Sequence, residues 1–234
     1  MRLSVIIPVY NEEMTIGELI ERVIQVDLGP GIELEIIVAN DGSTDGSATI
    51  IQKKLTAWPD LIKVYSSPVN LGKGAAVRLG LCRATGDLLL IQDADLELNP
   101  EEYRSLLEPI LAGQAKIVYG SRFLGYNRPS PIPRRTRWAN RLLTTLTNAL
   151  FNCNLTDMET AYKLFRRETL EGSNLRSVRF DFEPEITGHF LKSGYKIKEV
   201  PITYSPRRAN EGKKVSWLDG IEAVYTLLRV RFFS

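Results

Sequence analysis

The most constraining stretch of this 234-residue chain is a short apolar run that ends in acidic residues. Residues 88–91 are all apolar, which is typical of a strand buried on both faces of a sheet. Asp93, Asp95 and Glu97 follow it closely. Like charges held together repel, so such a cluster becomes favourable when a divalent cation lies among the oxygens. The stretch therefore predicts a metal-bridged phosphate ester at a sheet end. The alternative is an acidic turn before a helix that starts at Pro100.

The kind of metal follows from the ligands. Carboxylate oxygens suit Mg2+ or Mn2+, and Mg2+ held by one or two protein carboxylates usually takes its other ligands from phosphates and water. We therefore expect Mg2+ or Mn2+ as the cofactor, with Asp93, Asp95 and Glu97 as the metal-binding residues. The chain has a single histidine, His189, which excludes a zinc site built on several histidines.

Composition places the chain among ordinary globular proteins, with 44% hydrophobic and 25% charged residues. No apolar run approaches the roughly 20 residues that cross a bilayer, and we expect no signal peptide. Cys82 and Cys153 are the two cysteines and lie far apart in sequence. We therefore expect no disulfide framework and a cytoplasmic location.

The net charge of +2 conceals an uneven distribution. Residues 1–120 carry 10 Lys and Arg against 17 Asp and Glu, whereas residues 121–234 carry 20 against 11. We expect an acidic half that holds one anionic substrate through a cation, and a basic half that holds another anion directly. The alternative is an uneven solvated surface. A nucleic-acid binder would also use a basic half, but the chain shows no recognition helix or stacking-sheet signature.

Strands and helices alternate through the first half of the chain. The predicted strands are 3–9, 35–39, 62–66, 88–92 and 117–120, and the predicted helices are 15–26, 47–55, 72–84 and one from Pro100 onward. This alternation predicts an α/β fold with an open, mostly parallel sheet, helices on both faces and ligands at the carboxyl ends of the strands. Residues 10–12, Asp41, Asp93 and Asp95 all follow such ends, which predicts a single binding crevice.

The pattern changes after residue 120. Residues 125–135 are rich in Pro, Gly and Arg and predict a loop, and residues 205–216 predict a second, basic loop. The predicted helices of this half are 138–151, 184–192 and 217–233, and its predicted strands are 163–165 and 198–204. In the first helix the apolar stripe consists of Trp138, Leu142, Leu146 and Leu150.

Three motifs follow the first, second and fourth predicted strands: residues 8–12 (Pro-Val-Tyr-Asn-Glu), residues 40–45 (Asn-Asp-Gly-Ser-Thr-Asp) and residues 93–95 (Asp-Ala-Asp). Their order and spacing resemble the family 2 inverting glycosyltransferases, whose Rossmann-like, nucleotide-sugar-binding fold is called GT-A. Further motifs resemble the branch that loads a hexose onto a polyprenyl phosphate, which includes the dolichyl-phosphate mannose and glucose synthases. These motifs are residues 71–76, 120–123, 157–160, 182–185 and 211–214.

The resemblance covers nearly the whole chain and implies one GT-A domain over residues 1–234. Residues 1–120 would form the nucleotide-sugar-binding half. Residues 121–234 would form a basic acceptor-binding half with amphipathic helices.

On the donor side, the resemblance implies a nucleotide pocket shaped by Pro8, Tyr10 and Glu12, with Asp41 accepting a hydrogen bond from the base. It also implies that Lys73 and the glycines around it approach the donor. The alternative for those glycines is a helix opened by glycine that packs on the sheet.

At the metal, the resemblance implies that Asp93 and Asp95 hold the cation on the diphosphate. The cation would neutralise charge that grows on the departing nucleoside diphosphate. Glu97 would either add a ligand or tune the site.

The acceptor determines whether the enzyme needs a base. A lipid monophosphate is already an anionic nucleophile and needs positive charge to hold it in line. The resemblance matches Arg122 and Arg135 to the acceptor-phosphate arginines, and Arg208 or Lys213 to a later basic loop. Asp157 and Glu159 would face the hydroxyls of the donor hexose, or act as the base if the acceptor is a hydroxyl.

The expected catalytic residues are Asp95, Arg122, Arg135 and Asp157. Two further acids, Glu183 and Glu185, begin a predicted helix, where the helix dipole by itself also favours acidic residues.

These features imply metal-dependent, inverting transfer of a hexose from a GDP- or UDP-sugar to polyprenyl phosphate, giving a β-linked product. The alternatives are transfer to a saccharide hydroxyl in cell-wall or polysaccharide synthesis, and an inactive nucleotide-sugar-binding or scaffold protein. Trp138, Trp217, Phe232 and Phe233 lie near arginines, which also predicts peripheral contact with the cytoplasmic face of a membrane.

Overall fold

The computed structural model describes residues 1–124, 132–206 and 217–233, without the side chain of residue 217. The strands of these residues are β1 (Arg2–Val9), β2 (Glu33–Asp41), β3 (Ile62–Ser67), β4 (Leu88–Ile91), β5 (Ile117–Ser121), β6 (Lys163–Arg166) and β7 (Ile197–Pro201). They form one sheet in the order β3-β2-β1-β4-β6-β5-β7. β6 runs antiparallel to β4 and β5, and the other neighbouring strands pair in parallel. The prediction of a mostly parallel sheet is confirmed.

The helices are α1 (Ile16–Gln25), α2 (Ser47–Ala57), α3 (Lys73–Arg83), α4 (Tyr103–Leu111), α5 (Arg134–Phe151), α6 (Phe182–Lys192) and α7 (Trp217–Phe233). A short 3-10 turn over 100–102 leads into α4. Most bounds agree with the sequence prediction to within a few residues. The predicted loop over 125–135 is wrong at its end, because α5 already begins at Arg134 after Pro133, a residue whose fixed φ suits a helix start. The last strand is also shorter than predicted and ends at Pro201.

The sheet is covered on both faces, which explains the unbroken apolar run of β4. Leu88 and Leu90 contribute to the core under α1, α2 and α4. Leu89 and Ile91 contribute to the core under α3 and α6. Because successive side chains of a strand point to opposite faces, a strand covered on both faces must be apolar at every position.

α5 and α7 pack against each other through a smaller apolar cluster, whose buried members are Leu143, Leu155, Met158, Ala223 and Leu227. The apolar stripe predicted for α5 is not the face that packs, at least in its first half. Trp138 is 72% exposed and Leu142 is 69% exposed.

The buried face of α5 instead presents Asn140 and Thr144. Asn140 donates to the carboxylate of Asp157, and the amide of Met158 donates to Thr144. Buried polar groups that lack partners cost free energy, so these contacts determine which face of the helix turns inward. Within the described ranges, no helix combines the length and apolarity required to cross a membrane.

Glu35 lies near the beginning of β2, at the end of the sheet opposite the predicted crevice, and is only 4% exposed. Its carboxylate accepts hydrogen bonds from Lys63 Nζ at 2.6 Å, from the amide and hydroxyl of Thr85 at 2.8 Å each, and from Ser4. Burial alone would raise the pKa of Glu35, but these hydrogen bonds outweigh it and lower the pKa from 4.5 to about 2.

Glu35 therefore makes stability depend on pH. Its contribution is complete above pH 4.5 and is lost as the pH falls from 4.5 toward 2. We expect Glu35→Gln to lower the free energy of unfolding by about 1–3 kcal/mol at neutral pH, because the negative charge and one of the two acceptor oxygens are lost and buried donors then lack an acceptor. The difference from wild type should shrink in acid. Urea unfolding of both proteins between pH 7 and pH 3 measures this, and a difference that does not change with pH would contradict it.

Candidate active site

Four of the predicted site residues, Tyr10, Asp41, Asp93 and Arg122, lie at one edge of the sheet. β1, β2 and β4 are parallel neighbours, and β5 runs in the same direction because β6 is antiparallel to both β4 and β5. The carboxyl ends of these strands therefore meet at one edge. Tyr10 follows β1, Asp41 ends β2, Asp93 follows β4 and Arg122 follows β5.

The loop after β1 is tied to the loop after β2. The amide of Asn11 donates to Ser43 Oγ at 3.1 Å, and the amide of Thr44 donates to Asn11 Oδ1 at 2.8 Å. The amide of Glu12 donates to Ser47 Oγ at 2.8 Å. Asn11 has φ +53°, a left-handed backbone that costs free energy outside glycine and often occurs at functional sites. The two loops form one ordered rim that carries Tyr10.

Asp41 is buried and holds the segment that leads to Lys73. Its carboxylate accepts from Asn70 Nδ2 at 2.8 Å, from the amide of Leu71 at 2.9 Å and from the amide of Gly72 at 2.7 Å. These three donors position the start of α3. A hydrogen bond from Asp41 to a nucleotide base stays a prediction.

The glycines around Lys73 allow α3 to pack closely on residues 177–179. Gly72 has φ +110°, and a Cβ there would lie 2.3 Å from the Val178 carbonyl oxygen. A Cβ on Gly74 would lie 2.8 Å from the Ser177 carbonyl oxygen. The amide of Gly74 donates to the carbonyl of residue 179 at 3.1 Å. The contacts thus support the packing interpretation of these glycines, with residues 177–179 as the neighbour.

The side chain of Lys73 binds two carboxylates. Its Nζ lies 2.7 Å from Asp93 Oδ1, 2.9 Å from Asp93 Oδ2 and 2.7 Å from Glu183 Oε1. Burial disfavours the ammonium, but the charges of Asp93 and Glu183 outweigh burial, so the pKa of Lys73 lies above its ordinary value. Lys73 is therefore a permanent positive charge between β4 and α6.

The acidic turn after β4 fits a divalent cation that takes some of its ligands from the protein and the others from a phosphate. Asp93 and Asp95 are both partly exposed, and Leu96 beside them has φ +59°. In residues 1–124, 132–206 and 217–233, no three His, Cys, Asp or Glu side chains are grouped to hold a metal by themselves. Two accessible carboxylates, one of them already facing an ammonium, suit Mg2+ or Mn2+ completed by a diphosphate and water. The metal-binding roles stay predictions.

Glu97 connects this turn to the segment after β7. Tyr204 Oη donates to Glu97 Oε2 at 2.7 Å, and the amide of Ser205 donates to the Glu97 carbonyl at 2.9 Å. The amide of Glu97 itself donates to Asp95 Oδ1 at 3.2 Å. The contacts favour the tuning role for Glu97, and its role as a metal ligand stays a prediction.

Arg122 is held by Asp157. Asp157 Oδ2 accepts from Arg122 Nε at 2.7 Å and from the Arg122 amide at 3.0 Å, and its Oδ1 accepts from Arg122 Nη2 at 2.8 Å. Asn140 Nδ2 adds a fourth donor at 2.7 Å. Asp157 is 0% exposed, so its carboxylate acts here as a positioning group. Its expected contact with a hexose or an acceptor proton stays a prediction and requires this carboxylate to be uncovered.

The guanidinium of Arg122 also lies 5.4 Å from the centre of the Tyr204 ring, within the range of a cation–π contact. Tyr204 therefore touches both the acidic turn and the basic side of the edge. Asn140 and Tyr204 are site residues that sequence reasoning missed. No motif marks them, because their contacts with Asp157 and Glu97 join positions 17 and 107 residues apart.

Of the remaining predicted site residues, some are described by the structure and some are not. Arg135 lies exposed in the first turn of α5, and no contact joins it to the crevice within the described part of the chain. Arg208 and Lys213 lie outside the described residues, as does the side chain of Trp217. Glu183, which the sequence left between a functional and a structural role, contacts Lys73 directly.

The family follows from comparison with known proteins. Residues 4–172 match the model of the family described as "Glycosyl transferase family 2". The chain belongs to glycosyltransferase family 2.

Relatives of this family 2 glycosyltransferase include enzymes named after polyprenol and dolichyl phosphate. Polyprenol monophosphomannose synthase of Mycolicibacterium smegmatis is 30% identical over 218 residues, which cover 91% of this chain and 80% of that protein. Dolichyl-phosphate beta-glucosyltransferase ALG5A of Trichomonas vaginalis is 26% identical over 99% of this chain and 73% of that protein. Glycosyltransferase AglD of Haloferax volcanii is 27% identical over 88% of this chain, which spans only 34% of that protein.

The fold is also that of solved glycosyltransferases. Glucosyl-3-phosphoglycerate synthase of Mycobacterium tuberculosis superimposes with a TM-score of 0.75 at 24% identity, over 98% of this chain and 80% of that one. The same enzyme was crystallised with Mn2+, UDP and its product, where the TM-score is 0.73 at 22% identity over 98% of this chain and 79% of that one. The prediction of a GT-A glycosyltransferase is confirmed.

Proposed function

We propose that this glycosyltransferase transfers a hexose from a GDP- or UDP-sugar to polyprenyl phosphate. The reaction would use Mg2+ or Mn2+, invert the anomeric centre and give a β-linked lipid-phosphate sugar. The observation that carries the proposal is the arrangement of charge at one sheet edge. The carboxylates of Asp93 and Asp95 would hold the donor through the metal, and Arg122, which Asp157 holds through two guanidinium hydrogen bonds, would hold the acceptor.

The donor side of this arrangement suits a nucleoside diphosphate. When bound at Asp93 and Asp95, the metal supplies positive charge to the diphosphate that leaves. Lys73 keeps a further positive charge beside Asp93. The ordered loops that carry Tyr10 and Asp41 lie at the neighbouring strand ends, where a base and ribose would bind. The solved M. tuberculosis relative with UDP and Mn2+ supports this class of donor.

The acceptor side suits an anion that needs no base. Asp157, one of the two carboxylates that the resemblance offers as a base, is buried and accepts four hydrogen bonds. A hydroxyl acceptor requires a base within reach of its proton, whereas a phosphate monoester is already a nucleophile. The polyprenol and dolichyl-phosphate enzymes among the relatives support the same acceptor.

The direct test is product formation. Purified protein is incubated with Mn2+, a short-chain polyprenyl phosphate and each of a panel of GDP- and UDP-hexoses. We expect a lipid-phosphate hexose by mass spectrometry with one of the donors, and a β linkage by NMR. Donor hydrolysis without any lipid-linked product would contradict the acceptor, and no reaction with any donor would favour a sensor or scaffold.

The outer surface of α5 and α7 supports peripheral contact with an anionic membrane. Trp138 and Leu142 are exposed on α5, and Tyr225 and Phe232 are exposed on α7, which packs beside it. The exposed arginines of α5 interleave with this apolar surface; they are Arg134, Arg135 and Arg141. Aromatic side chains beside arginines suit the boundary between lipid head groups and acyl chains. Such contact would bring the enzyme to a lipid acceptor.

The membrane contact predicts a loss of vesicle binding. We expect the double substitution Trp138→Ser and Phe232→Ser to weaken co-sedimentation with phosphatidylglycerol vesicles at least about tenfold, because each aromatic ring contributes on the order of 2 kcal/mol on burial. Trp58→Ser serves as the matched control, since Trp58 is an exposed tryptophan at the end of α2. Vesicle binding by the double variant that equals that of Trp58→Ser would contradict membrane contact through α5 and α7.

A further inference from the structure

Lys73 is shared between a carboxylate of the proposed metal site and a carboxylate outside it. Its Nζ is 2.7 Å from Asp93 Oδ1 and equally 2.7 Å from Glu183 Oε1. Glu183 belongs to the first turn of α6. The ammonium therefore divides its attraction between two anions.

Glu183 is not explained by stability alone. Its side chain is 6% exposed, and its Oε2 has no hydrogen-bond partner among the described residues. A buried carboxylate oxygen that lacks a donor costs free energy. The dipole of α6 offsets part of that cost, but any acidic residue in the first turn would obtain the same benefit. Glu183 forms its salt bridge with Lys73, and its charge also acts on the buried side chains of Lys163 and Glu159.

The charge balance around Asp93 depends on this contact. Asp93, Lys73 and Glu183 together carry one net negative charge. If Glu183 were neutral, Asp93 and Lys73 would cancel, and the attraction for a divalent cation would rest on Asp95. Glu183 thus preserves negative charge at the metal-binding end of β4 while Lys73 stays in place.

We propose that Glu183 is a positioning residue that sets the affinity of the Asp93–Asp95 turn for a divalent cation by neutralising Lys73. The inference rests on the proposed function, because it assumes that the cation binds at this turn. It assigns to Glu183 an action through Lys73, with no contact between Glu183 and substrate. It also explains how a lysine and a metal ion can share one small site.

The test measures Mn2+ binding without substrates, by electron paramagnetic resonance of free Mn2+ during titration of the folded protein. Glu183→Gln keeps the shape of the side chain and removes its charge. We expect it to weaken Mn2+ binding about tenfold, the usual size of an effect from a residue behind the ligands. The double variant Glu183→Gln with Lys73→Met restores one net negative charge, and we expect its Mn2+ affinity to return to within about threefold of wild type.

The rescue distinguishes charge from structure. Lys73→Met by itself removes a positive charge beside Asp93, so the informative quantity is the double-mutant cycle. If Glu183 only stabilised α6, Glu183→Gln would weaken Mn2+ binding by the same factor with Lys73 present or replaced by Met, whereas an action through Lys73 makes the factor smaller when Lys73 is replaced. Glu185→Gln is the matched control, because Glu185 lies two residues on in α6 and binds Arg229 and the amides of 176 and 177 instead. We expect Glu185→Gln to lower the melting temperature with unchanged Mn2+ affinity.

Three results among the variants would overturn the inference. They are wild-type affinity in Glu183→Gln, a double variant that stays weak, and an equal loss in Glu185→Gln. Wild-type protein that binds no Mn2+ would overturn the proposed metal site itself and the inference with it. If wild type binds Mn2+ but the Mn2+ affinities of the variants do not rank as expected, the inference alone is overturned and the proposed function stands.

Discussion

Asp95→Asn is expected to reduce turnover of the nucleotide sugar at least about a thousandfold, which corresponds to on the order of 4 kcal/mol in the activation free energy. The carboxylate follows β4 at the edge where the strand ends meet, and it is partly exposed. The asparagine side chain can still accept the hydrogen bond that the backbone amide of Glu97 donates to Asp95 Oδ1. It removes the charge that would hold a cation on the leaving diphosphate.

The measurement is initial rate with saturating donor and Mn2+, together with the melting temperature. Asp27→Asn is the matched control, because Asp27 is 81% exposed, pairs with the exposed Arg104 at 3.4 Å and accepts a hydrogen bond from the Gly29 amide at 2.9 Å. Wild-type protein in excess EDTA should lose activity to a similar extent. Full activity of Asp95→Asn, or of wild type in EDTA, would rule out a metal held at this turn.

Arg135→Ala is expected to raise the KM for polyprenyl phosphate about 10–100-fold, the usual worth of a hydrogen bond to a charged group. The KM for the nucleotide sugar should stay within about twofold of wild type. Arg135 is exposed in the first turn of α5, so its loss leaves the core intact. A rise in the KM for polyprenyl phosphate without a rise in the KM for the nucleotide sugar therefore reports on acceptor binding.

Arg141→Ala on the same helix is the control for a general loss of positive charge, because Arg141 is also exposed but lies almost two turns further along. We expect it to change the KM for the acceptor much less than Arg135→Ala. If Arg135→Ala leaves that KM unchanged, the acceptor phosphate is not held there, and transfer to a saccharide hydroxyl becomes the better explanation.

Much of the first half of the fold could be predicted because its elements are locally encoded. The apolar runs of β1, β2 and β4 and the helical spacing of α1 are patterns of neighbouring residues. Strands that alternate with helices pair in parallel, so the acids and polar groups after each strand had to meet at one edge. The positions of Asp41, Asp93 and Arg122 at that edge follow from this rule.

The orientation of α5 could not be predicted in the same way. Its sequence offers an apolar stripe through Trp138 and Leu142, yet both side chains are exposed. Asn140 and Thr144 turn inward, where they bind Asp157 and the amide of Met158. The buried carboxylate of Asp157 needs a hydrogen-bond donor, and the hydrophobicity pattern of α5 carries no information about that distant residue.

The sequence by itself determined the family, the parallel sheet and the strand ends at which acidic and basic groups stand, because these depend on residue order and local periodicity. The tertiary structure alone decided the partners of each charged group. Asp41 binds residues 70–72, Asp157 binds Arg122, and Lys73 binds both Asp93 and Glu183. Each pairing joins segments far apart in the chain. Which carboxylate meets which cation depends on how helices and loops pack over the sheet.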